Sequence, residues 1–283
     1  MVPCKSHGFT LIELVMVIVI VGILTALTTQ IITLPIKSYF DLQRRATLTD
    51  TAEVAMEHIQ RDIRQALPNS VRITGGGSVI EILHTIDGGR YRYKSATSNG
   101  SEPLPPDAGC GSLADDVLNI PFSDHCFEVI GSLNEFKSTE TPIADEPKYL
   151  VVFNTGNNTG NAYMSNNQAR ITQSNNPKTI EFSEFAFPLT SPNQHFFIVD
   201  TPITYACINN QLLRYSFYPI TGNQPNPPTT LGQLQADNIV SCQFSYDPDI
   251  SAQSGLVSME ITLTDEAGGN IYLMHQIHVD NVP

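Results

Sequence analysis

The chain has 283 residues and a formal net charge of −13, with 41% hydrophobic residues, 19 Pro, 18 Gly and no Trp. That acidic balance opposes nucleic-acid phosphates and anionic lipid headgroups, which argues against a DNA-binding protein. The acid is unevenly placed, net +1 through Arg72 and net −14 from Ile73 onward. A near-neutral N-terminal segment therefore precedes an acidic remainder rich in polar loop residues.

A single carboxylate, Glu13, stands at the head of an otherwise unbroken apolar run, Leu14 to Leu24. An ionisable group inside a membrane segment costs about 2.5–3.5 kcal/mol even on lenient insertion scales, so it reads as functional, and its natural partner is an amine. A cut after Gly8 would supply one, because Phe9 would then carry a charged N-terminus close to Glu13. Phe9 to Leu34, about 26 residues at 1.5 Å each, is long enough to cross a hydrocarbon core of roughly 30 Å with some tilt. Gly22 and Pro35 are expected to interrupt this helix, Pro35 with a kink. Beyond Pro35 the pattern turns amphipathic: Leu48, Ala52, Ala55, Met56, Ile59, Ile63 and Ala66 recur at helical spacing, with Arg61, Asp62, Arg64 and Gln65 between them. Pro68, followed by Asn69 and Ser70, ends the helix.

The signals then change to strands. Val71–Ile73 and Val79–Leu83 flank Gly75-Gly76-Gly77, and Gly88-Gly89 leads into Arg90–Tyr93, which predicts a three-stranded meander. Later candidates are Tyr149–Phe153, Thr179–Phe185, Phe196–Val199, Ile203–Ile208, Leu212–Phe217, Ile239–Tyr246, Leu256–Thr264 and Asn270–Val279, with Asn209-Asn210 as a hairpin turn. Residues 95–122 and 219–228 read as loops, and the head has room for an insertion around 95–176. The expected class is α+β: a long N-terminal helix packed on an antiparallel β-sheet head.

The stretch Lys5-Ser6-His7-Gly8-Phe9-Thr10-Leu11-Ile12-Glu13-Leu14 resembles, without a gap, the cleavage and methylation signal of type IV prepilins and type II secretion pseudopilins. The resemblance implies a leader over 1–8, removed between Gly8 and Phe9 by prepilin peptidase, with the new amine of Phe9 then N-methylated. It implies that Glu13 docks the subunit against a neighbour's N-terminal amine. It also implies a transmembrane half over 9–34, an amphipathic half over 35–67 and a periplasmic head over 68–283, single-pass in the inner membrane and in the pilus after assembly. Lys5 before the apolar run and Lys37, Arg44 and Arg45 after it leave orientation to the resemblance rather than to charge.

A looser resemblance, carried by Ala66–Arg72, Leu212–Ser216, Val240–Phe244, Gly255–Ser258 and Met274–Pro283, is to the minor pilins of the mannose-sensitive haemagglutinin (MSHA) type IV pilus. It implies a low-abundance subunit that helps initiate or cap a fibre. The implied partners are other major and minor pilins and the inner-membrane assembly platform, with no nucleic acid. A type II secretion pseudopilin and a tip adhesin or ligand-binding subunit are the alternative readings.

Cys4 lies in the leader, which leaves Cys110, Cys126, Cys207 and Cys242 with three pairings open. None has CxxC spacing, so zinc or dithiol redox chemistry is poorly supported. Two structural disulfides, most simply Cys110–Cys126 and Cys207–Cys242, are favoured over free thiols and suit an exported head. Asp247-Pro248-Asp249-Ile250-Ser251, and Asp265-Glu266 with Asn270, offer oxygen ligands for calcium but fall short of an EF-hand and read better as solvated turns. His275 and His278 would face opposite sides of a strand, against a shared metal. Asp107, Asp115 and Asp116 read as solvated loop charges. No nucleophile elbow, phosphate loop or His-Glu-x-x-His pattern is present, so no enzyme and no cofactor are expected.

Overall fold

The computed structural model describes residues 8–92, 116–140, 146–251, 254–265 and 267–283. Among the described residues a helix, α1 (Leu11–Arg64), comes first and twelve strands follow. Neither Gly22 nor Pro35 interrupts α1, contrary to the sequence expectation. A single proline removes only its own donor from the ladder, and the apolar residues on either side keep good helix propensity. At 1.5 Å per residue the helix is about 80 Å long.

The chain divides into two units, residues 1–50 and 51–283. In the first, none of the described side chains of α1 is buried, and Leu11, Ile12, Met16, Ile18 and Leu27 are all more than half exposed. In the second, residues 51–64 of α1 show one buried face, made by Ala52, Ala55, Met56, Ile59 and Ile63. These are the positions the helical spacing singles out. Asp62, assigned by spacing to the polar residues, is buried with them.

The strands of the head are all antiparallel and are organised by two long ones, β2 (Val79–Tyr91) and β7 (His195–Ile208), paired from Val79–Ala206 to Arg90–His195. This ribbon is shared by two structures. At one end, β1 (Arg72–Thr74) joins β2, while β8 (Gln211–Tyr215) and β9 (Gln233–Ala236) extend from β7, giving a five-stranded sheet. Residues 51–64 of α1 lie on it, since Asp62 reaches Tyr205 of β7 and Arg214 of β8, and His58 reaches Gln235 of β9. At the other end, β3 (Ser123–Ile130), β6 (Thr179–Ala186), β5 (Gln168–Thr172) and β4 (Tyr149–Val152) run from β2 round to β7 and close a six-stranded ring. Every strand of the ring feeds one core, through Tyr91, Phe127, Leu150, Ile171, Phe182 and Phe196 among others. Its rings meet edge to face, Phe127 on Phe196 at 5.1 Å between centroids.

The expected Gly88-Gly89 turn does not exist: β2 runs straight through it, opposite Phe197 and Phe196. A Cβ at Gly89 would lie 2.9 Å from the Phe196 ring. The glycines leave room for a cross-strand aromatic rather than reversing the chain. Similarly, Phe196–Val199 and Ile203–Ile208 are one strand, carried across Pro202. The Asn209-Asn210 hairpin is present, both residues with positive φ, between β7 and β8. Strands β3, β5 and β9 were not expected.

A second sheet, β10 (Ile239–Ser251), β11 (Ser254–Thr264) and β12 (Asn270–Asp280), is a meander. Strand β11 alternates strictly, burying Val257, Met259, Ile261 and Leu263. The Cys207–Cys242 disulfide ties it to β7, with Cα atoms 6.2 Å apart, and Gln243 donates to the carbonyl of Gly76 at 3.2 Å. Gly77, with φ +96, sits directly beneath the Gln243 amide, where any Cβ would clash.

Candidate functional site

The predicted processing residues lie where the helix begins. Gly8, Phe9 and Thr10 are non-helical and exposed, Phe9 to 77%. The Gly8–Phe9 peptide, the bond expected to be cut, thus lies outside regular structure. A Cβ at Gly8 would meet nothing within 4 Å, so the fold itself does not demand glycine there. Thr10 ends the irregular segment, and its carbonyl accepts the N–H groups of Glu13 at 3.1 Å and Leu14 at 3.3 Å.

Glu13 is the third residue of α1. A carboxylate in the first turn is favoured by the helix macrodipole, and Thr10-x-x-Glu13 has the spacing of a capping box. That local role is a signal sequence reasoning passed over. Glu13 is exposed, and among the described residues no ion pair reaches it. Beyond it, α1 is long and apolar enough to cross a membrane, and its most apolar window is wholly unburied.

Residues 3–29 match the family described as the prokaryotic N-terminal methylation motif. The chain carries a type IV prepilin-like signal. That signal implies processing by a prepilin peptidase and association with a membrane. No curated protein and no solved structure matches the chain. The prepilin-like signal thus covers Gly8 and Phe9, Glu13 and the apolar start of α1, and it ends before the head.

At the far end of α1 a second carboxylate is bound internally. Asp62 Oδ2 accepts from the Tyr205 hydroxyl and from Arg214 Nε, both at 2.7 Å. Burial, followed by the Asp62 charge, pushes the Tyr205 phenol well above its ordinary range; Asp62 raises the Arg214 pKa against the opposing effect of burial. The tyrosine therefore stays a donor and the arginine a cation.

The remaining candidates are dispersed. Cys207 and Cys242 are joined as expected. Cys126 is also disulfide-bonded, and Cys110, its expected partner, lies outside the described residues. Asp124, His125 and Cys126 bring potential ligand atoms within 4.8 Å of one another. A disulfide sulfur is no thiolate, however, and the Asp124 carboxylate already accepts the N–H groups of Asn119 and His125 at 2.8 Å.

Asp107 and Asp115 lie outside the described residues. Asp116 does lie in a loop but is half-buried rather than solvated, and burial and then the neighbouring Asp124 charge raise its pKa to about 6. Asp247 and Pro248 lie in β10, not in a turn, where the ladder breaks register between Asp247 and Ser251. Such an irregularity is where a strand tolerates proline. Asp265 closes the β11–β12 turn, its carboxylate accepting from Gly269 N–H at 2.6 Å. Asn270 begins β12, and Glu266 lies outside the described residues. His275 and His278 alternate on β12, the first half-buried and the second exposed.

Proposed function

We infer that the chain is a minor pilin-like structural subunit, cleaved between Gly8 and Phe9 and N-methylated on Phe9, that takes part in initiating or assembling a type IV pilus of the MSHA kind. The observation that carries this reading is the prepilin-like signal set at the start of a helix that is apolar in its first half with none of the described side chains there buried, while residues 51–64 pack on an antiparallel head. An apolar surface of that size needs a bilayer or the helices of neighbouring subunits to cover it. Glu13 is the one acid in its first turn, and in this reading it meets a neighbour's Phe9 amine in the fibre.

The head is placed in the periplasm by the same reading, in keeping with its disulfide. The subunit acts by packing rather than catalysis and requires no cofactor. A type II secretion pseudopilin would share the signal; Glu13, which the largest-headed pseudopilin commonly lacks, and the C-terminal resemblance weigh toward the pilus. The test is intact mass of protein extracted from membranes, together with a count of surface pili in a strain lacking the chain. A mature start at methylated Phe9 and loss of pili support the assignment. A start at Met1, or normal piliation with lost protein secretion, overturns it.

A further inference from the structure

Phe217 combines exposure with a positive φ, whereas Phe153, at φ +51, is packed against the ring core. Phe217 is 68% exposed and has φ +58, a conformation that bulky residues rarely adopt. Its backbone is fixed there, since its N–H donates to Thr201 Oγ1 at 2.9 Å. Backbone conformations of that cost cluster at ligand clamps and other functional sites.

The Phe217 ring borders a pocket of about 210 Å³, formed where the start of β4 faces the bend of β7 and residues 217–220. Tyr149 and Tyr218 supply further aromatic wall, and Asp200, Lys148 and Glu146 supply charge. Asp200 is oriented from behind, with His84 Nδ1 at 2.8 Å and the Thr201 N–H donating at 2.7 Å to the same oxygen. Its other oxygen lies 3.8 Å from Lys148 Nζ, too long for a full hydrogen bond. An acceptor and a donor thus stand side by side on one wall, each with capacity left for a ligand.

This chemistry selects a class. Two carboxylates against one ammonium discourage phosphates and other anions. The pocket is smaller than the usual range for drug-sized ligands, so the guest is a single ring rather than a chain. A molecule with an apolar C–H face for Phe217 and hydroxyls for Asp200 and Lys148 satisfies the aromatic and polar walls together.

We propose that this pocket binds one neutral saccharide unit, stacked on Phe217 and hydrogen-bonded to Asp200 and Lys148. The experiment uses the full chain in detergent, probed by saturation-transfer NMR with methyl glycosides of the neutral hexoses and N-acetylhexosamines, and with methyl glucuronide and inorganic phosphate as charged controls. At least one neutral glycoside is expected to bind in the millimolar range, with neither control binding. Phe217→Gly removes the ring and suits the positive φ, so it is expected to weaken binding by about tenfold while leaving the melting temperature unchanged or higher. Lys148→Met is expected to weaken binding with the head still folded. The proposal is overturned if no neutral glycoside binds at tens of millimolar, if glucuronide or phosphate binds as well as the neutral probes, or if Phe217→Gly binds like the parent.

Discussion

The two halves of α1 each carry one instructive carboxylate, and the two acids have opposite surroundings. Glu13 is exposed, on a stretch of helix where none of the described side chains is buried, whereas Asp62 is 5% exposed and held by Tyr205 and Arg214. Helicity is continuous across both halves, so hydrogen bonding along the backbone does not distinguish them. The difference lies in where the partners are. Asp62 finds its partners in the same chain; in our reading Glu13 finds one only in another copy or another subunit.

The most severe test of that contrast is Glu13→Ala. In the fibre the loss leaves a neighbour's Phe9 amine unpaired in a low-dielectric bundle, about 3–5 kcal/mol by analogy with broken buried pairs. The variant is expected to be cleaved normally, to stay in the membrane at parental level and to make no pili. Wild-type pilus counts at equal protein level would show that the acid is dispensable. Removing the Cys207–Cys242 link probes only the head. Closing a loop with a sequence separation of 35 stabilises by roughly 4 kcal/mol in the chain-entropy model. The double Ser variant should therefore melt earlier in near-ultraviolet circular dichroism, with membrane association untouched.

Asp62→Ala is expected to cost about 3 kcal/mol, the lower end for a broken buried pair because the Arg214 side chain keeps 22% exposure. The same substitution should leave cleavage at Gly8 unaffected. If it abolished processing instead, the two halves would not be independent.

The smallest effect concerns Asp116. In the fold its carboxyl keeps a proton to about pH 6, against an ordinary value of 3.8. Between those values the unfolded chain has released a proton that the folded chain retains, so stability falls as pH rises through the window. Asp87 and Asp200 have lowered values, so what they contribute is present above the ordinary carboxylate range and is lost on acidification below it. Asp116→Asn is accordingly expected to melt higher than the parent at pH 7.5 and to lose that advantage at pH 4. An advantage equal at both pH values would remove the titration from the explanation.

Much of this contrast was legible in the chain. Period and composition placed the apolar half and the amphipathic face, while the prepilin-like signal was legible through its resemblance. The wrong side chain to trust was Asp62, because helical spacing says which face is buried but not that a Tyr and an Arg from distant strands wait beneath it. Gly88-Gly89 misled for a related reason. Glycine pairs mark turns in isolation, and only the Phe196 ring across the ladder makes them a strand. Strands β3, β5 and β9 carry too few apolar residues in a row to announce themselves; β3 and β5 are buried by closing the ring, and β9 is an edge strand held by β8. Phe217 and its pocket had no local signal at all, since the walls come from three separate stretches of chain.

The sharing of β2 and β7 between sheet and ring also orders events in time. Synthesis delivers α1 first, yet Tyr205 follows Asp62 by 143 residues, Arg214 by 152, and Gln235 trails His58 by 177. Nor can β2 pair along its length until β7 has emerged, with all of β3 to β6 in between. Contacts so distant along the chain form late and slowly. The buried face of residues 51–64 must therefore wait, uncovered, until most of the polypeptide exists.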